Sequence, residues 1–411
     1  MSEFLLSLNV FAADEPFLLC AAFFVLGICV GSFLNVLALR SLKEESLVWP
    51  SSYCPQCKHS LSALDNIPLL SYLILQGKCR YCKGGISFQY PLVEFLTGLI
   101  YAALAYFFLS KNIPLSNFDA LNLGPSSHDF THDLFEAIQA AKGLTASAQS
   151  LNSNDLYFYK YGLFIGCLIF ASTLIAVTVT DFREKLIPHE ITYPSMLIGI
   201  VFSAFVRGDL LGAMAGIGAS YIIFDFMAFY GLKLYMLSHK DEIEEENNQS
   251  REEDPQLDGT LGLAEMPEEE PIEVMGGGDA VLSAVMAAYL GWKGLLLALV
   301  IGFIAGTAMG LVLLFMEMKK AGLLKECARS SLIWASAAGL LLAAFTALLV
   351  SSFENAFGLC FFSGGLGAVG GALLGMVKVG TRVSKPFPFG PALALGGFVA
   401  MFLIPYWLPF Y

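Results

Sequence analysis

The chain has 411 residues, of which 56% are hydrophobic and 14% charged. A soluble protein of this length does not hide so much apolar surface, so the composition excludes a soluble globular protein and indicates a polytopic membrane protein. The net charge of −12 arises in one segment, since residues 241–273 carry 14 acidic side chains and one arginine. The rest of the chain is close to neutral, which gives no support for nucleic-acid binding.

Apolar runs recur along the chain and predict an all-α fold with about 8–10 transmembrane helices. The run at 279–292 is shorter than the roughly 20 residues of a full span, and we expect a half-buried or tilted helix there. The candidate spans are 17–39, 91–109, 160–180, 191–206, 209–237, 279–292, 294–317, 331–351, 357–377 and 389–408.

The spans and the polar segments between them divide the chain into seven parts. In order, these are 1–39, the N-terminus and first transmembrane helix; 40–90, a small cytoplasmic loop domain with four cysteines; 91–109, the second transmembrane helix; 110–158, a polar extracytoplasmic insertion; 159–238, transmembrane helices that include Asp181; 239–273, an acidic flexible cytoplasmic linker; and 274–411, the remaining helices with Asp279.

Basic residues predict the orientation of the chain. No lysine or arginine precedes Arg40, whereas residues 40–83 contain six. Cytoplasmic loops are enriched in basic residues, so the N-terminus should lie outside and the 40–90 loop in the cytoplasm. Alternating from there through the candidate spans places both Asp181 and Asp279 at the cytoplasmic face.

The 40–90 loop contains two Cys-x-x-Cys pairs, Cys54 with Cys57 and Cys79 with Cys82. Two such pairs supply four soft ligands at tetrahedral geometry, the pattern of a structural zinc site that leaves no position for a catalytic water. Two disulfides are the alternative, and a reducing cytoplasm disfavours them.

Asp181 follows an apolar run over 163–179 and precedes a short polar segment that ends at Pro188. Proline is accepted in the first turn of a helix, so one helix should end near Asp181 and another begin near Pro188. A carboxylate at a membrane boundary is costly and usually marks a functional site.

Asp279 follows Gly276, Gly277 and Gly278 and opens another apolar run. Glycines permit close approach of a peptide substrate, and an aspartate at a helix start can cap the helix. Capping alone is the simplest alternative role for either aspartate. Asp225, inside the 209–237 span, receives no catalytic assignment.

The two aspartates at one membrane face predict an acid/base pair that activates water without a catalytic metal. One carboxylate accepts a proton from water while the other, still protonated, polarises the scissile carbonyl. Like charges a few ångströms apart do not both ionise readily, so proximity supplies the unequal protonation that the reaction needs.

The order of short motifs resembles that of the type IV prepilin peptidases, bacterial inner-membrane enzymes of the G-x-G-D aspartic class. The resemblance covers the chain nearly end to end. The matching segments are Gly31-Ser32-Phe33-Leu34-Asn35-Val36, the four cysteines with Asp65-Asn66-Ile67-Pro68, Tyr90-Pro91-Leu92-Val93-Glu94, Asp181 with Ile187-Pro188, Met275-Gly276-Gly277-Gly278-Asp279, and Pro388-Phe389-Gly390-Pro391.

The resemblance implies that the chain removes the basic leader of prepilins or pseudopilins at the cytoplasmic edge of the inner membrane. It also implies N-methylation of the new N-terminal residue from S-adenosylmethionine, which the family associates with its cysteine-containing region. Glu94, at the start of the second span, is a candidate for holding the substrate amine during methylation. An interfacial anchor is the alternative role for Glu94.

The chain departs from the family at Val281, where lysine is usual, and at His189, where aspartate is common. Two other function classes remain open. One is an ion- or proton-coupled transporter whose carboxylates bind the coupling ion, although no internal repeat or pair of broken helices supports it. The other is a non-catalytic, zinc-bearing scaffold of a pilus or secretion assembly.

Overall fold

The computed structural model describes residues 15–43, 45–46, 52–110, 153–238, 276–349 and 388–407. These residues are mostly helical and include no β-strand, only two isolated β-bridges. The chain divides into two compact units, residues 1–303 with 389–411, and residues 304–388. The predicted acidic linker, the 357–377 span and most of the 110–158 insertion lie outside the described residues.

Nine helices occur in the described part of the chain. A 3₁₀ turn at Ala63–Asn66 precedes the second helix, and the π-helical turns Tyr106–Ser110 and Ser203–Arg207 extend the third and fifth. The helices are α1 Pro16–Ser41, α2 Leu70–Ile74, α3 Gln89–Ala105, α4 Ser153–Glu184, α5 His189–Phe202, α6 Leu210–Ser238, α7 Gly277–Lys320, α8 Leu324–Leu349 and α9 Gly390–Trp407.

Six of the described helices are long and apolar enough to cross a membrane, namely α1, α3, α4, α5, α6 and α7. A shorter apolar helix runs over Gly390–Leu403 in α9. The predicted fold class, an all-α polytopic membrane protein, is therefore confirmed. The total of about 8–10 spans stays a prediction, because the candidate spans after residue 349 lie partly outside the described residues.

Helices α1 and α3 pack through glycine. A Cβ atom on Gly27 would lie 2.7 Å from the Cα atom of Gly98, and one on Gly31 would lie 2.8 Å from the Cα atom of Glu94. These separations are shorter than carbon atoms tolerate, so both positions need a residue without a side chain. Small residues at such contacts are the usual means by which membrane helices approach closely.

We expect Gly27→Ala to destabilise the protein by about 1–3 kcal/mol, because the added methyl group meets backbone atoms of α3 that cannot move aside. Thermal denaturation of the purified protein in detergent measures the effect. Gly218→Ala in α6 is the matched control, since no atom lies within 4 Å of its Cβ position. The control should leave stability unchanged or raise it by up to about 1 kcal/mol.

The first part of α7 runs through the interior of the larger unit. Every side chain from residue 280 to residue 290 is at most 6% exposed, and the run at 279–292 is the first part of a longer helix rather than a separate short one. The helix continues beyond this segment across a kink at Gly291, which has φ 69° and ψ 177°, a conformation that only glycine adopts easily. Arg207 donates a hydrogen bond to the Tyr289 carbonyl at 3.0 Å and so satisfies an acceptor at the kink.

The smaller unit contains the end of α7 and helix α8. Met318 and Cys327 are buried there and pack with Leu314 and Leu323. No site residue predicted from the sequence lies in this unit, so the candidate site is built from the larger one.

Candidate functional site

Asp181 lies in the last turn of α4 with its side chain buried. The helix ends because Lys185 adopts a left-handed conformation with φ 54°, and its amide donates to the Asp181 carbonyl at 2.9 Å. Pro188 precedes the first residue of α5, and its carbonyl accepts the amides of Ile191 and Thr192, each at 3.2 Å. The helix break predicted between Asp181 and Pro188 is present.

The start of α9 holds the Asp181 carboxylate. The amide of Gly390 donates to the Oδ2 atom of Asp181 at 2.8 Å. The first amides of a helix have no partner within the helix and carry partial positive charge. This hydrogen bond therefore offsets the unfavourable position of an acid at the C-terminal end of α4 and fixes the orientation of the carboxylate.

Asp279 lies within the first turn of α7 and not at the cap position that the sequence suggested. The helix already includes Gly277 and Gly278, and the Asp279 amide donates to the Gly276 carbonyl at 3.0 Å. A Cβ atom on Gly278 would lie 2.8 Å from the Cβ atom of Ile187, so the missing side chain lets α7 approach the turn between α4 and α5. Gly276 and Gly277 have no atom within 4 Å of their Cβ positions and face open space.

The structure brings together the helix ends that carry the two aspartates. Helix α9 begins beside Asp181, where the Gly390 amide contacts the carboxylate, and α7 begins beside Ile187, in the turn that follows Asp181. Asp181 is buried and Asp279 is half-buried.

The four predicted cysteine ligands also come together. All four Sγ atoms lie within 4.8 Å of one another, and the Sγ atoms of Cys54 and Cys82 are 3.9 Å apart. Tetrahedral coordination with Zn–S bonds of about 2.3 Å places sulfur atoms about 3.8 Å apart, so the donor set fits a metal ion of this size. The cysteines of the described chain are free thiols, and the separation of Cys54 and Cys82 is too long for a disulfide bond.

Each cysteine pair sits on the same kind of turn. Lys58 and Lys83, which follow the second cysteine of each pair, have φ 58° and 59°, and their amides donate to the carbonyls of Cys54 and Cys79. Backbone amides also donate hydrogen bonds to the sulfur atom of Cys79. Those of Cys82 and Tyr81 lower the pKa of Cys79 to about 7, which favours the thiolate that binds metals.

An ion pair braces this four-cysteine module, which comprises residues 52–88. The Asp65 carboxylate accepts hydrogen bonds from the Ser62 hydroxyl at 2.7 Å and from the Arg80 guanidinium at 2.6 Å. These two contacts lower the pKa of Asp65, so its carboxylate is charged at neutral pH. Asp65 thereby links the 3₁₀ turn to the second cysteine pair.

Glu94 contacts the chain of the four-cysteine module. Its buried carboxylate accepts the amide of Leu69 at 2.8 Å, and Leu69 has the strained values φ 59° and ψ −48°. The contact ties the four-cysteine module to α3, and the role of Glu94 in methylation stays a prediction.

A further contact joins the exit of the four-cysteine module to the aspartate site. The side chain of Arg183, two residues after Asp181, donates to the side-chain oxygen of Gln89 at 3.0 Å. Because Gln89 begins α3, the module and Asp181 lie at the same end of the helix bundle.

Gly390 is the site residue that the sequence reasoning missed. It appeared there only as part of a motif, because a backbone amide contributes no side-chain signal. The available signal was its position: a glycine followed by Pro391 at the start of the last apolar run, where a helix N-terminus exposes unpaired amides.

For the leader removal that the resemblance implies, we expect Gly390→Ala to lower the rate by about 10–100-fold, because small displacements of reacting groups have effects of this size. A Cβ atom there would lie 2.7 Å from the Oδ2 atom of Asp181 and would displace the carboxylate. The initial rate of cleavage of a purified prepilin measures the effect. Leu395→Ala, on the exposed side of the same helix, is the control and should cleave normally.

Comparison with known proteins decides the family. Residues 168–311, which include both aspartates, match the Type IV leader peptidase family, and residues 25–108 match the Bacterial Peptidase A24 N-terminal domain. The chain belongs to the type IV leader peptidase family. The family is the one that the motifs predicted, and the N-terminal match includes the four cysteines.

Curated relatives support the assignment, and each is named a prepilin leader peptidase/N-methyltransferase. The protein of Myxococcus xanthus is 28% identical over 292 residues, which are 71% of this chain and 62% of the relative. The protein of Aeromonas hydrophila is 27% identical and covers 74% of this chain and 83% of its own length. The protein of Klebsiella pneumoniae is 29% identical, and the match covers 53% of this chain and 78% of the relative. No solved structure matches the chain significantly.

Proposed function

We propose that this chain removes the leader peptide of type IV prepilins or pseudopilins, with Asp181 and Asp279 as its catalytic pair. The supporting observation is that α7 and α9 begin beside the end of α4, where the Gly390 amide orients the Asp181 carboxylate. The substrate class is inferred from the relatives, whose names describe them as prepilin leader peptidases.

The chemistry follows from two carboxyl groups of unequal protonation. One accepts a proton from the attacking water, and the other donates a proton to the oxygen of the scissile carbonyl. Repulsion between two neighbouring charges favours the state in which the pair holds one proton, so in this proposal the two groups act and titrate as a unit. No step requires a metal ion.

The substrate reaches the pair from the membrane side in this proposal. The apolar helix of the prepilin lies against the bundle, and its leader junction enters the open space beside Gly276 and Gly277. Binding of that helix supplies the positioning of the scissile bond. The basic residues of the 40–90 loop and of Arg183 and Lys185 support a cytoplasmic location for the junction, in a bacterial inner membrane.

We also propose that the chain N-methylates the new N-terminal residue with S-adenosylmethionine, and that Cys54, Cys57, Cys79 and Cys82 hold a structural zinc ion. The printed names of the relatives and the match of residues 25–108 support the methylation. The spacing of the four sulfur atoms supports the metal. Zinc would fix the fold of the module, and a closed four-thiolate set takes no direct part in the chemistry.

One experiment tests both reactions. The purified protein is incubated in detergent with a candidate prepilin, with and without S-adenosylmethionine, and the product is examined by mass spectrometry and N-terminal sequencing. We expect loss of the leader in both samples and a further methyl group only when the donor is present. An unprocessed substrate, under conditions in which the protein remains folded, would contradict the proposal.

A further inference from the structure

Helix α2 (Leu70–Ile74) presents an apolar face to the surface of the protein. Leu70, Leu73 and Ile74 follow helical spacing and are 50%, 71% and 67% exposed. Ser71 and Tyr72, on the other side of the helix, are half-buried. An exposed apolar patch of this kind marks a surface that contacts another apolar phase.

The position of α2 indicates that the apolar phase it contacts is the lipid bilayer. The residue before the helix, Leu69, donates its amide to Glu94, which lies in the second turn of α3. At 1.5 Å per residue, Glu94 is about 7–8 Å along the helix axis from Gln89. Helix α3 is one of the membrane-crossing helices, so α2 lies beside its first turns, at the depth of the membrane surface.

Helix α3 carries exposed apolar side chains at the same depth. Phe88, Leu92 and Phe95 are all exposed large hydrophobic residues near its start. In a membrane-crossing helix such side chains face lipid. The apolar face of α2 therefore lies at the same level along α3 as side chains that face lipid.

The charge of the four-cysteine module is suited to a lipid surface. Its basic residues Lys58, Lys78, Arg80 and Lys83 are exposed, and its single acidic residue, Asp65, pairs with Arg80. Clusters of basic residues next to a membrane helix are attracted to anionic lipid headgroups.

We propose that α2 is an interfacial anchor that inserts Leu70, Leu73 and Ile74 into the lipid leaflet beside α3, while the basic residues of the module contact anionic headgroups. The combination of an apolar helix face with nearby basic side chains is the general design of membrane-surface helices. The anchor holds the four-cysteine module against the membrane at the end of the bundle that carries Asp181. This inference does not depend on the proposed catalytic roles.

Photocrosslinking of the full-length protein tests the anchor. Benzoylphenylalanine replaces Leu73 in protein reconstituted into vesicles of phosphatidylcholine and phosphatidylglycerol, and irradiated protein is analysed by mass spectrometry for lipid adducts. We expect adducts at Leu73 comparable with those from the same probe at Leu99, an exposed position of α3. The probe at Ser71, on the half-buried side of the same helix, should give several-fold fewer adducts.

Two further measurements complete the test. The metal content of each variant shows that the module is folded, and vesicles without phosphatidylglycerol should lower the adduct yield at Leu73. Absence of lipid adducts at Leu73 when Leu99 forms them would overturn the anchor, as would crosslinks to another protein chain. An adduct yield independent of phosphatidylglycerol would overturn the contact with anionic headgroups.

Discussion

Asp181→Asn and Asp279→Asn should each lower the rate of leader removal by about 10²–10⁴-fold, the usual contribution of a positioned acid or base. Asparagine keeps the size of the side chain but neither accepts nor donates the proton that the reaction transfers. In the Asp181→Asn variant the Gly390 amide can still donate to the side-chain oxygen of the asparagine, so the helix junction should persist. Initial rates of cleavage of a purified prepilin measure the effect.

Asp225→Asn is the matched control for these two substitutions. It also removes a carboxylate from a membrane helix, but Asp225 lies on the exposed side of α6 and not at the helix junction. The control should cleave at the normal rate. Normal cleavage by Asp181→Asn or Asp279→Asn would exclude the catalytic pair, and loss of solute flux with intact cleavage would favour the transporter alternative.

Replacing Cys54 and Cys79 together with serine should remove most of the bound zinc and strongly reduce N-methylation. These two residues are the buried members of the cluster and come from different pairs, so neither half of the ligand set remains complete. A structural zinc ion contributes about 10–16 kcal/mol to the folding of small zinc domains, and its loss should unfold the module. Elemental analysis and product mass measure the two effects.

Leader removal should fall much less than methylation in this double variant, because the aspartates lie on α4 and α7, outside the module. Cys29→Ser is the control, since Cys29 is an exposed thiol of α1 that is not part of the cluster. It should retain both zinc and methylation. A normal zinc content in the double variant would refute the metal assignment.

Local patterns were sufficient to predict much of this protein. The break between Asp181 and Pro188 was predictable because it depends on polar residues and a proline within eight positions of the chain. The cysteine cluster was predictable because two tight pairs define a tetrahedral ligand set almost independently of the rest of the fold. Glu94 was noticed only by its position, and its partner, the amide of Leu69, could not be identified from the sequence.

Helix α7 shows where local patterns were insufficient. The length of the apolar run at 279–292 suggested a short helix, half-buried or tilted. In the structure Gly291 joins this run to the following apolar run through a kink with positive φ, and neighbouring helices enclose it. Whether a glycine continues, bends or ends a helix depends on its φ and ψ angles. These are set by packing and by contacts such as that of Arg207 with the Tyr289 carbonyl.

The sequence by itself determined that the chain crosses the membrane, that four thiols form one ligand set, and that two carboxylates lie at helix ends. These properties depend on composition and short spacings. Only the tertiary structure decided what surrounds Asp181: the amide of a glycine 209 residues away, at the start of the last helix. Backbone amides are identical in every residue, so their long-range hydrogen bonds depend on how the helices pack and leave no pattern in the sequence.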